Sequence, residues 1–291
     1  MALRSETLKR KRKLPMNNTI KRGISGTVFL IVMICGLLLN RYLFAAMLLF
    51  IMVSMMYEFY SMTMGHDFRK SKVLAILSGV TLFASLFLVC AFGKPVRTIA
   101  VTIFPLLLLM SVSLFSEDRE KFWKFSHMYT GFLYIAVPLA CANMLVFDAN
   151  LEFNGLPLLC FFILIWASDV GAFAFGITLG QKYGRKLCPS ISPKKSWIGF
   201  WGGMLSAVLA ALIMNRIGMM TYPLVHCLLL AVVMHVAGVV GDLFESQWKR
   251  CYNLKDSGNI IPGHGGMLDR FDSALMAIPA GVLYLLMINV L

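Results

Sequence analysis

Asp242, Glu245, Ser246, Lys249 and Arg250 stand at offsets 0, 3, 4, 7 and 8, so an α-helix puts all five on one face. The acidic end of that stripe lies nearer the preceding apolar run and the basic end farther from it, which suits a cation held beside an anionic ligand. A solvated helix end would show the same spacing. Beyond a connector with Lys255 and Asp256 comes Pro262-Gly263-His264-Gly265-Gly266, whose glycines let backbone N–H groups approach a phosphate closely. Asp269, Asp272 and Ser273 follow at offsets 0, 3 and 4 on the first turn of the next helix, where an N-cap carboxylate is expected and free N–H groups attract anions. Capping accounts for one of these acids and leaves the other for chemistry.

A second candidate segment is Ser192-Pro193-Lys194-Lys195-Ser196. Two lysines after a rigid proline could clamp a triphosphate or a lipid phosphate, although lysines that only set membrane orientation would look the same. Asp169 lies inside an apolar run, where an acid costs about 2.5–3.5 kcal/mol to insert and is a functional candidate by default. Glu58 is a weaker case of the same kind. Ala172, Gly176 and Gly180 recur every four residues after Asp169, a spacing suited to close helix packing.

The elements that must carry these residues are membrane helices. Of the 291 residues 59% are hydrophobic and 14% charged, with a mean hydropathy of +0.77, which excludes an ordinary water-soluble domain. Apolar runs predict an all-α polytopic protein of about nine transmembrane helices, near 24–39, 42–63, 73–92, 98–115, 127–146, 156–179, 197–214, 221–243 and 271–290. Three regions follow: a basic segment 1–23, helices over 24–155, and a C-terminal region 156–291 that holds the candidate site. With the N-terminus in the cytoplasm, 23 of the 27 Lys and Arg fall on the cytoplasmic side, and the polar loops near 180–196 and 244–270 share that side. No cleaved signal peptide is expected, because no small-residue cleavage site follows the first apolar run. The run Lys9–Lys13 is read as a topology signal that could also meet anionic headgroups. Seven scattered cysteines form no CxxC pair, and both they and the 20 methionines are read as packing residues.

From Ser246 through Lys249-Arg250 and Lys255-Asp256 to His264-Gly265-Gly266, Asp269-Arg270 and Asp272, eleven fixed positions match in order and spacing; the chain resembles the phosphatidate cytidylyltransferases, or CDP-diacylglycerol synthases. Gly241-Asp242, Glu245, Asp169, Gly171-Ala172 and Ser192-Pro193-Lys194-Lys195 extend the resemblance over about 166–275. It departs from the family at Ile177, where Arg is expected, at Ile198, where Glu is expected, and at Trp248, where an aliphatic residue is usual.

The resemblance implies transfer of a cytidylyl group from CTP to phosphatidic acid, giving CDP-diacylglycerol and pyrophosphate for phospholipid synthesis. It implies Mg2+, with or without a second cation, and a homodimer in a bacterial inner membrane with the site on the cytoplasmic side; no nucleic-acid partner is expected. Asp242 and Asp269 are then the leading metal ligands and Glu245 and Asp272 supporting acids. Lys249, Arg250, Lys255, Asp256, His264 and Arg270 are assigned to the catalytic set, and Ser192, Lys194, Lys195, Ser246, Gly265 and Gly266 to substrate binding. Two alternatives remain at this stage: a CTP-dependent lipid kinase, and a transporter using Asp169 and Glu58 as ion sites.

Overall fold

A computed structural model describes residues 18–65, 68–115, 119–181, 184–261 and 265–290; the Lys9–Lys13 run and His264 lie outside them. The chain is a bundle of helices: α1 (Asn18–Leu38), α2 (Arg41–Met64), α3 (Arg69–Phe92), α4 (Val96–Ser113), α5 (Phe122–Val146), α6 (Leu156–Gly180), α7 (Trp197–Arg216), α8 (Leu224–Cys251) and α9 (Leu268–Met287). Among the described residues, α2 to α9 are the eight helices long and apolar enough to cross a bilayer, and α1 offers the shorter apolar stretch Ser25–Leu38. The nine expected segments are therefore all helical, but eight meet the length for a full span. Large apolar side chains such as Phe104, Leu107, Val170, Leu209 and Ile213 point outward, an arrangement suited to lipid and costly in water.

Two kinds of packing hold the bundle. In α2, Phe44, Leu48, Met52, Met55, Met56, Phe59 and Tyr60 are buried, and Phe44 meets Phe83 of α3 and the ring pair Phe147 and Phe153. Tyr60 finds a partner for its hydroxyl in the Met128 carbonyl at 2.9 Å, so this large ring is buried without an orphaned donor. The α6–α7 contact, the most extensive in the bundle, relies on small residues instead. Gly171, Ala172, Gly176 and Gly180 face Gly199, Gly202, Gly203 and the serines Ser196 and Ser206, and the two backbones approach as closely as the Gly and Ala spacing predicts.

Two segments differ from the expected loops. Residues 184–196 are not plain loop: β1 (Lys186–Cys188) and β2 (Ser192–Ser196) pair antiparallel with a bulge between the Lys186–Ser196 and Cys188–Ser192 positions. The apolar run ends near 243 but the helix runs on to Cys251, as the one-face spacing from Asp242 to Arg250 requires, since Glu, Gln, Lys and Arg are good helix formers. At 28 residues α8 is about 42 Å long, longer than a hydrocarbon core of about 30 Å, so its charged last turns project beyond the apolar layer.

Candidate active site

Four spans and the hairpin converge on one cavity. α6 widens into a π-helical turn over Gly176–Gly180, the chain returns as β1–β2, and Ser196 starts α7 by accepting the Gly199 N–H on its Oγ at 3.2 Å. That cap fixes the backbone directly after Lys194 and Lys195; Lys195 pairs with Asp242 of α8, and both lysines line the cavity. The cavity, about 450 Å3, is lined by the carboxylates of Asp169, Asp242, Asp269 and Asp272 and by Lys194 and Lys195. Phe173, Ile177, Leu187, Phe200 and Val239 supply an apolar wall beside them. A charged end and an apolar wall in one chamber suit a ligand with a phosphate head and a hydrocarbon body.

The pairings are specific. Lys195 Nζ lies 2.5 Å from Asp242 Oδ2, and Ser246 Oγ donates to Asp242 Oδ1 at 3.3 Å. Both partners of the Lys195–Asp242 pair keep more than a quarter of their side chains exposed, so an incoming anion can compete for the ammonium. Behind the wall, Lys249 Nζ sits 2.5 Å from Glu245 Oε2 and 2.8 Å from Asp269 Oδ1, tying two acids with one charge. Asp269 Oδ2 accepts the N–H groups of Gly266 (2.8 Å) and Ser257 (2.9 Å), and Asp272 Oδ1 accepts the Ser273 N–H at 2.6 Å.

Four carboxylates against two lysines on the wall leave a surplus of negative charge, and hard carboxylate oxygens are the donors that a divalent cation such as Mg2+ takes. Among the described residues no group of three or more His, Cys, Asp or Glu side chains is arranged to hold a metal by itself. One or two of these carboxylates, with substrate phosphate oxygens completing the shell, would suit such a cation.

The predicted residues separate into three groups. Asp169, Asp242, Asp269, Asp272, Lys194 and Lys195 come together on the cavity wall. Glu245, Ser246 and Lys249 lie beneath it: Glu245 is 1% exposed, and Lys249, expected to touch phosphate, cross-links Glu245 to Asp269 instead. Arg250 leaves the expected stripe, because its Nε donates to the Ile191 carbonyl (3.3 Å) and its NH1 to that of Leu254 (2.9 Å), pinning the hairpin turn to the end of α8. Lys255, Asp256 and Arg270 are exposed and do not line the cavity, and Ser192 opens β2. Gly265 adopts φ +85°, a conformation glycine takes without strain, and comes within reach of the Asp269 carboxylate.

Two expectations change. Asp269 is not the N-cap of α9; its oxygens face Lys249 and amides that precede the helix, while the first helical N–H groups, of Met267 and Leu268, go to Glu58 of α2. Glu58 is in turn no ion site, since both its oxygens are taken by donors and it is 4% exposed, away from the cavity. Sequence reasoning also missed Ser257, which shows no motif of its own, and the buried Ser168–His235 hydrogen bond of 2.7 Å joining α6 to α8. Trp248, the unusual aromatic, wedges against Phe59 of α2 and His127 of α5 and stacks on Tyr252.

Comparison with known proteins agrees with this geometry. The pattern of the cytidylyltransferase family matches residues 20–288. A phosphatidate cytidylyltransferase of Rickettsia bellii is 34% identical over 224 residues, 74% of this chain and 92% of that protein. One from Bacillus subtilis is 37% identical over 180 residues, 62% of this chain, and one from Staphylococcus epidermidis 36% identical over 173 residues, 59% of this chain. These two matches span 65% and 63% of the relatives' own lengths. From the match across nearly its whole length, the chain belongs to the cytidylyltransferase family.

Proposed function

We propose that this chain transfers the cytidylyl group of CTP to phosphatidic acid in the cavity between α6, α7, α8 and α9, releasing pyrophosphate. The observation that carries the reading is the cavity itself, in which four carboxylates and two lysines share about 450 Å3 with an apolar wall. A phosphatidate oxygen is already an anionic nucleophile; it forms a bond to the α-phosphorus of CTP as the bond from that phosphorus to the bridging oxygen breaks and pyrophosphate departs with the electron pair. Such a step asks the protein for alignment and charge neutralisation rather than for a covalent nucleophile. Lys194 and Lys195 bind and orient phosphate oxygens, with Lys195 exchanging its Asp242 partner for the ligand. The chain of contacts from Lys249 to Asp269 and from Asp269 to the Gly266 N–H holds the rim loop still while the phosphates align.

Mg2+ belongs to the proposal, with Asp242 and Asp269 as leading ligands and Asp272 as a supporting acid on the same wall; when bound it would supply charge neutralisation on the phosphates. The relatives' names support the lipid substrate. Purified protein given CTP and phosphatidate should move label from the α-phosphate of CTP into lipid. Label entering lipid only from the γ-phosphate would mean a kinase and overturn the reading.

The proposal also places this cavity on the cytoplasmic side, a reading supported by the grouping of 23 of the 27 Lys and Arg on one side of the spans. A cysteine introduced in place of the exposed Lys194 should react with an impermeant maleimide added to inverted but not to right-side-out vesicles. The opposite pattern would remove the site from cytosolic CTP.

A further inference from the structure

We propose that Glu58, on a helix outside the cavity, is a positioning residue for the transfer reaction, holding the backbone that fixes the carboxylate of Asp269 at the cavity wall. This rests on the reading of Asp269 as a working carboxylate of that site.

The geometry is a pair of carboxylates back to back with a strip of backbone between them. Glu58 Oε1 accepts the Met267 N–H at 3.0 Å, while Oε2 accepts the Leu268 N–H at 2.9 Å and the Ser257 hydroxyl at 3.3 Å. On the other side, Asp269 Oδ2 accepts the N–H groups of Ser257 and Gly266. Neighbouring groups therefore alternate: Ser257 gives its amide to Asp269 and its hydroxyl to Glu58, and Gly266 serves Asp269 while the next two residues serve Glu58. The two amides that set the orientation of Asp269 are fixed by groups that Glu58 holds. There is no slack in the arrangement, because a Cβ at Gly266 would strike the Glu58 carboxylate and the Ser257 hydroxyl, and one at Gly258 would strike Glu58 as well.

A carboxylate is required because each of the three partners donates. An amide at position 58 would turn an NH2 group toward at least one donor and leave a buried group unsatisfied. Glu58 does not line the cavity, so it acts on the reaction through Asp269 rather than on substrate, as the outer partners of metal or catalytic ligands commonly do.

The test compares Glu58→Gln, Ser257→Ala, Asp269→Asn and the double variant Glu58→Gln with Asp269→Asn, with kcat expressed per mole of folded, membrane-inserted enzyme. Glu58→Gln should lower kcat by at least about tenfold and Ser257→Ala by severalfold, with the KM values for CTP and phosphatidate within about twofold of wild type. The double variant should be no slower than Asp269→Asn alone, because the route through Asp269 is already cut. A merely structural role would multiply the two losses, and that result, or wild-type kcat in the Glu58→Gln and Ser257→Ala enzymes, overturns the inference. If Glu58→Gln fails to insert, Ser257→Ala decides alone, since it deletes one hydroxyl from a connecting segment. A wild-type rate for Asp269→Asn would instead refute the reading of the cavity on which the inference stands.

Discussion

Helices α1 to α5 and helices α6 to α9 solve different problems with the same solvent around them. In the first group the interior is Met, Leu and Phe, and the buried acid of α2, Glu58, has both oxygens filled by hydrogen-bond donors. In the second group the helices approach over Gly, Ala and Ser, and the space this saves at one end opens as a cavity whose carboxylates outnumber its lysines. An acid in a membrane helix is thus informative only together with its partners. A carboxylate filled by donors and buried away from the cavity, as Glu58 is, holds structure, whereas acids on the cavity wall, among them Asp242 with its partly exposed lysine partner, can meet a cation or a phosphate-bearing ligand.

The contrast predicts unequal responses to substitution. In the second region, Lys194→Ala with Lys195→Ala removes both lysines of the cavity wall and should lower kcat/KM by at least about 100-fold for CTP or phosphatidate, given that each charge-assisted contact contributes about 1.5–3 kcal/mol. Steady-state kinetics at limiting concentrations of each substrate check this; unchanged values would reduce the pair to a topology signal. In the first region Met52, fully buried in α2, should tolerate Leu, with thermal stability lowered by less than about 1.5 kcal/mol and turnover within about twofold of wild type. A large loss of turnover from Met52→Leu, at normal abundance, would erase the distinction between the two regions.

Hydropathy made the helices legible, and several starts fall where the apolar runs begin, at Leu156 and Trp197. The apolar run ended near 243, and the 0, 3, 4, 7, 8 spacing carried α8 on through Glu245, Lys249 and Arg250, because the residues that end an apolar run do not end a helix. The cavity acids were legible as types and spacing, since Asp242, Asp269 and Asp272 sit within two neighbouring helices. The five-residue stripe did not reveal that Lys249 would join Glu245 to Asp269 or that Arg250 would turn to the Ile191 and Leu254 carbonyls, since spacing along one helix does not show what surrounds it. Glu58 was visible as an unusual acid, yet its partners lie about 200 positions away in the chain, a separation that no local pattern bridges.

The central claim is that the carboxylates of this cavity, led by Asp242, take part in the transfer and do not merely hold α8 in place. Asp242→Asn keeps the volume of the side chain and removes the charge opposite Lys195. The measurement is CDP-diacylglycerol formation by purified Asp242→Asn across a magnesium titration, with wild type alongside at equal membrane-inserted abundance. Turnover should fall by at least about 100-fold and half-saturation should move to higher magnesium, as expected for a carboxylate that positions charge on reacting phosphates. A near-normal rate with an unchanged magnesium curve would contradict the account.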